Sequence, residues 1–150
     1  MPTVTTSHTS TEPAQRIWEV LLDCEEFPSY MDEVVDVTIL DRSGSNRTSR
    51  WAVLLKGSEL EWVERDTVDH ERRRIEFEQI EGDLAYFDGY WQVTDDGAGQ
   101  TTIELHVEFD IGIPLMADML NPVAARALEE NSKAILNRLS NRNSDVSPVA

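Results

Sequence analysis

Cysteine is nearly absent from this 150-residue chain. The single Cys24 excludes an internal disulfide, and with it the class of small disulfide-stapled secreted scaffolds. Histidine is scarce as well: His8, His70 and His106 are scattered, with no metal-ligand spacing and no cysteine partner. No glycine loop leads into a helix as a phosphate cradle requires. Ser58 and Ser132 have no nearby histidine that would argue for a nucleophile. We therefore expect neither metal nor cofactor. No apolar run approaches the roughly 20 residues that span a bilayer. The opening MPTVTTSHTSTEP lacks the basic start and apolar core of a signal peptide, so the chain reads as cytoplasmic. Basic residues are the remaining shortage, 13 against 29 acidic, for a formal charge of −16. Such a chain repels polyphosphate backbones and anionic membrane surfaces, which argues against nucleic acid and against stable membrane insertion. The acidity itself is accounted for by solubility.

What is present suits one globular domain, with 40% apolar and 28% charged residues. We place that domain at residues 1–142, with a frayed polar tail at 143–150 (NSDVSPVA). One stretch, Leu115 to Arg142, is long and regular enough for a major helix. Met116, Leu120, Val123, Ala127, Ala134 and Ile135 recur at helical spacing, and Asn131 occupies a position in that stripe where an apolar residue is expected. Before it, the chain reads as strands. Thr3 to Thr9 is a short first strand rich in threonine. Thr11-Glu12-Pro13 starts a helix to about Asp23, with Thr11 as the cap, and Glu25 to Met31 forms a second short helix or turn, broken from the first near Phe27 by Pro28.

From Glu33 the period becomes two. Val35, Val37 and Ile39 are expected inward, Asp41 to Asn46 is turn-forming, and Trp51, Val53 and Leu55 share the next inner face. A turn at Lys56-Gly57-Ser58 leads to a strand that ends near Asp69, and Ile75 with Phe77 marks the following one. Another strand runs from Ala85 to Thr94. Ile103, Leu105, Val107, Phe109 and Ile111 then alternate cleanly with polar neighbours. Six short-turn strands in succession form an antiparallel meander, and only the long helix can cover its apolar face. The fold class is α+β.

This order, with Ile17-Trp18-Glu19-Val20, Glu25-Glu26-Phe27-Pro28, Glu61-Trp62-Val63, Trp91 and Val107-Glu108-Phe109-Asp110, resembles the START-like (helix-grip) superfamily over about Thr11 to Leu139. The likeness is to its polyketide cyclase/dehydrase and coenzyme Q-binding branch. It implies a curved sheet wrapped on the long helix around a deep ligand cavity. That cavity would be lined by Trp51, Trp62, Phe87, Trp91 and Val107, with Val123, Ala127 and Asn131 on the helix and Phe27 and Tyr30 near the mouth. An aromatic cavity of this kind suits a flat or elongated apolar ligand: a polyketide, a quinone or a lipid.

Strand alternation adds chemistry. If Leu60 and Trp62 point inward, so do Glu64 and Asp66, and two core-facing carboxylates are costly unless paired, hydrated or used. Burial and mutual repulsion both favour a protonated acid near neutral pH, the equipment for enolising a ketone and dehydrating an aldol. Gln79 and Asn131 are placed to hold a carbonyl oxygen. Aromatase/cyclases of the resembled type carry a pocket arginine in a Trp-Val-x-x-Arg run. Here that position is Asp66, with Arg65 one residue earlier on the opposite face. A pocket tyrosine would fall on Val34 and a second arginine on Gln79, while the helix asparagine matches at Asn131. The resemblance thus implies a cyclase/dehydratase of antibiotic-type secondary metabolism, with Glu64 and Asp66 as acid/base residues, whose chemistry differs from the aromatase pattern. Two rivals stand beside it: a non-catalytic quinone or lipid carrier, and an interaction module like the ribosome-associated toxins of the superfamily, which the negative charge disfavours. An acyl carrier protein is a candidate partner, and the chain is expected as a monomer or homodimer.

Overall fold

The computed structural model of the chain describes residues 2–55, 58–112 and 117–141, with the side chains of 117–121 outside that description. One seven-stranded antiparallel sheet dominates, in the order β1-β7-β6-β5-β4-β3-β2. Its strands are β1 (Thr3–Ser10), β2 (Val34–Ser43), β3 (Asn46–Leu55), β4 (Ser58–Asp69), β5 (Arg74–Gly82), β6 (Tyr86–Asp95) and β7 (Thr101–Asp110). Helix α1 (Ala14–Leu22) and a 3-10 helix (Cys24–Ser29) link β1 to β2, and helix α2 (Ala117–Ser140) follows β7. The expected meander is there, with β1 added beside β7.

β7 shows why the sheet has one dry face. Thr101, Ile103, Leu105, Val107 and Phe109 are buried, and each residue between them is half-buried. β6 must approach β7 closely to curve the sheet. Gly89 permits this, because a Cβ there would collide with the His106 carbonyl. In α1, Ala14, Ile17, Trp18 and Leu21 recur at helical spacing and are buried together.

Several local expectations are corrected. Val35 is 42% exposed, while Val34 and Val37 are buried, because a bulge between Val34 and Asp36 breaks the alternation. The turn expected over Asp41 to Asn46 shrinks to Gly44-Ser45: Arg42 still pairs with Arg47 and Ser43 with Asn46. Helix α1 starts after Pro13 with no side-chain cap, so Thr11 does not serve as one. The break between the two short helices falls at Asp23, and Pro28 is accommodated inside the 3-10 helix. On α2 the expected Ala127 and Ile135 are buried, joined by Leu128, Ser132, Leu136 and Leu139 beside the expected stripe, while Val123 is 63% exposed. The denser run of branched side chains takes the sheet-facing side. Met116, Leu120, Lys56, Gly57 and the tail 143–150 fall outside the described side chains.

Candidate active site

The β3–β4 hairpin sets four inner-face residues of one strand against four of the other. Val53 faces Leu60, Trp51 faces Trp62, Ser49 faces Glu64 and Arg47 faces Asp66. Along this ladder the chemistry grades from aliphatic through aromatic to ionic. The two indoles stack with planes 1° apart and centroids 6.0 Å apart. Trp62 also tilts against Phe87 at 4.8 Å. Gly82 stands opposite Trp62 across β5, and a Cβ there would overlap the Trp62 Cβ, so the bare backbone makes room for the indole.

Between this face and α2 lies a narrow apolar slot of about 50 Å³. Of the residues expected around a cavity, Trp51, Trp62, Phe87, Trp91, Val107 and Asn131 line it, together with the acid Glu64. Leu128, Ser132 and Ile135 replace Val123 and Ala127 as the contribution of the helix. Among the described residues, the space available for the cavity implied by the family resemblance is this narrow slot, walled by aromatic rings. Phe27 is not near a mouth. It is fully buried behind the slot, with ring edges on Trp51 at 5.9 Å and Trp91 at 6.3 Å. Tyr30 lines a separate surface groove with Arg16 and Glu26. Gln79 pairs with Glu64 across β4–β5, but its amide donates to the Leu84 carbonyl at 2.7 Å and it does not line the slot. Asn131 donates its Nδ2–H to the Leu54 carbonyl at 2.7 Å, which ties the middle of α2 to the end of β3.

Both strand acids are buried, Glu64 at 3% exposure and Asp66 at 0%. They are not equivalent. Glu64 borders the slot and accepts a hydrogen bond from the Trp62 indole N–H at 2.7 Å. Burial, reinforced by a hydrogen bond and the negative charge of Asp66, holds its carboxyl well above the usual carboxylate range. Asp66 is sealed off from the slot. Its Oδ2 accepts from Arg47 Nε and from Ser49 Oγ, both at 2.8 Å. Ser49 in turn accepts from the Trp51 indole N–H at 2.9 Å, and Arg47 Nη1 reaches the Leu22 carbonyl. Cys24 adjoins this group, and burial pushes its thiol up to about 12, which leaves it unreactive.

Arg47 and Ser49 were missed in the sequence, although the signal was there. Counting back by twos from Trp51 reaches both, once the hairpin is as tight as Gly44-Ser45. The arginine that the aromatase pattern places on β4 is absent there, and Arg65 does face outward, paired with Glu78. A buried guanidinium is nevertheless present at this level, on β3.

These elements match known proteins. The family model for polyketide cyclase / dehydrase and lipid transport matches residues 11–136. The chain belongs to that family. Its architecture is the START-like helix grip. The bifunctional cyclase/dehydratase of the actinorhodin polyketide synthase of Streptomyces coelicolor is 30% identical over 97 residues, 63% of this chain, and the chain covers only 30% of that enzyme's length. Among solved structures, the protein TTHA0849 of Thermus thermophilus superposes with a TM-score of 0.89 at 25% identity, over 98% of this chain and all of that one. The Zhui aromatase/cyclase of a Streptomyces species gives 0.83 at 23% identity, over 99% and 96%. No helix among the described residues is long and apolar enough to cross a membrane.

Proposed function

We propose that this family member is a polyketide cyclase/dehydratase of secondary metabolism, in which Glu64 acts as acid and base on an apolar polycarbonyl chain held between the Trp51–Trp62 wall and α2. The observation that carries this reading is Glu64 itself, a buried carboxyl raised well above the usual carboxylate range and presented to a mainly apolar slot. The relatives named as cyclase/dehydratase and aromatase/cyclase support it at the level of reaction class.

The chemistry balances on one carboxyl. In ring closure, Glu64 gives its proton to a ketone oxygen as the new C–C bond forms, and recovers one from the attacking α-carbon. In dehydration it protonates the resulting hydroxyl, which departs as water, and the carboxylate removes the next α-proton. Asp66 assists from behind, and Asn131 and the slot rings orient the chain. Gln79, Phe27 and Tyr30 stand outside the contact surface in this reading. Polycyclic ligands occupy sites of roughly 300–1,000 Å³, so α2 lifts from the sheet to admit one. An acyl carrier protein is the proposed donor of the chain and the cytoplasm the proposed compartment.

The test is turnover of a synthetic poly-β-ketone thioester, followed by mass spectrometry. Glu64→Gln is expected to lower the rate by roughly 10²-fold or more, with binding changed only a few-fold. If the native protein turns over no such substrate while a quinone or lipid co-purifies with it, the carrier reading replaces this one.

A further inference from the structure

We propose that Arg47, with Ser49, is a positioning residue that fixes Asp66 as a sealed anion behind Glu64 and thereby keeps the working proton on Glu64. The inference deepens the acid/base reading above and rests on it for the word "working". Its structural basis is independent of any substrate.

Three observations carry it. First, Arg47 and Asp66 are direct cross-strand partners one step beyond Ser49 and Glu64, so the pair is built into the hairpin register. Second, Asp66 is fully buried and lines no part of the slot, and Arg47, only 6% exposed, borders a separate groove with Arg42 and His70, so Glu64 stands between the pair and the slot. Third, the bonding is one-sided. Oδ2 takes both the guanidinium and the Ser49 hydroxyl, whereas Oδ1 is buried with no fixed donor among the described residues. The nearness of Asp66 raises the Glu64 carboxyl two residues away. A carboxylate held in place by two donors still discourages ionisation of an acid two residues away.

The other groups that face this pair do not compete. The 3-10 helix contributes Cys24, whose thiol stays neutral, and Glu25, whose carboxylate accepts the Ile39 N–H. β4 contributes the Trp62 indole, a donor that favours the carboxylate form of Glu64 and so works against the effect of Asp66. α2 brings Asn131 and Ser132, both uncharged. Burial first, and then Asp66, raise the Glu64 carboxyl, while the Trp62 indole and Arg47 oppose them.

The experiment is a carboxyl-carbon NMR titration of Glu64 in the full chain. The native midpoint is expected above the ordinary carboxylate range. Asp66→Asn removes the anion and leaves Arg47 uncompensated, so both effects lower the midpoint, by about one pH unit or more. Arg47→Lys keeps the charge and is expected to hold the midpoint near its native position. Should Asp66→Asn not fold, the neutral pair Arg47→Gln/Asp66→Asn leaves no charge unpaired and is expected to lower the midpoint by a smaller amount. A midpoint unmoved by removal of Asp66 overturns the proposal. If the midpoint is insensitive to Asp66 while Glu64→Gln still abolishes turnover, the catalytic reading stands without this one. If the midpoint moves as expected while Glu64→Gln retains full turnover, the electrostatic arrangement stands and the catalytic reading falls.

Discussion

Two arginine–carboxylate pairs sit on opposite faces of β4, with their residues adjacent in sequence. On the outer face Arg65 meets Glu78 at 3.2 Å, with side chains 55% and 61% exposed. On the inner face Arg47 meets Asp66 at 2.8 Å, with side chains 5% and 0% exposed. The chemical groups are the same, and the surroundings decide what each pair does. Water and ions screen the outer pair, and such pairs contribute about 0–1 kcal/mol. The inner pair has lost its hydration, so its two charges depend on each other and on Ser49. An outer pair is a surface detail. An inner pair constrains which neighbours can ionise.

Breaking the inner pair on one side gives the largest expected effect. Arg47→Met strands a buried carboxylate and is expected to cost about 3–5 kcal/mol in urea unfolding. Arg47→Met/Asp66→Leu, which removes both charges, is expected to recover most of that loss. A double variant as unstable as the single one would show that packing, not charge, holds this corner. Next comes the pH dependence of stability. Glu64 is raised well above its ordinary value of 4.5 in the folded chain. Between that value and its raised one, the folded state binds the extra proton, so this group's contribution to stability falls as pH rises, by up to about 1.4 kcal/mol per pH unit. Glu64→Gln is expected to flatten that slope, as read from unfolding free energies measured across pH 4.5 to 8. The smallest effect belongs to the outer pair. Arg65→Ala is expected to change stability by no more than about 0.5 kcal/mol, and less in high salt. A larger loss would erase the contrast between the two faces.

The sequence carried the sheet well because its strands are short, consecutive and wet on one side. β7 in particular announces its inner face at every second residue. The acids Glu64 and Asp66 followed from the same counting, since Leu60 and Trp62 set the phase. The count failed where local chemistry competes with period. The run Asp41 to Asn46 is made of turn-formers, yet strand pairing continues through it to Gly44-Ser45. That hid Arg47 and Ser49, the residues that give Asp66 its partners. In β2 an extra residue shifts the phase, which alternation alone does not reveal. On α2 Ala127 and Ile135 of the expected stripe are buried, and only contact with the sheet shows that Leu128 and Leu136, about 100° round the helix, are buried beside them. The volume left between the layers depends on how the five aromatic side chains Trp51, Trp62, Phe77, Phe87 and Trp91 pack, and no one-dimensional pattern carries that.

The bond from Asn131 to Leu54 has a bearing on timing. Leu54 lies at the end of β3, and its carbonyl accepts a hydrogen bond from the helix side chain. Under the proposed function, a polycyclic guest enters the slot of about 50 Å³ after the helix has moved away. That movement gives up this bond, at about 1 kcal/mol, and wets the rings beneath. On that proposal, capture is expected to depend on how often the latch releases as well as on how well the guest fits, and re-forming the same bond is expected to slow the guest's escape.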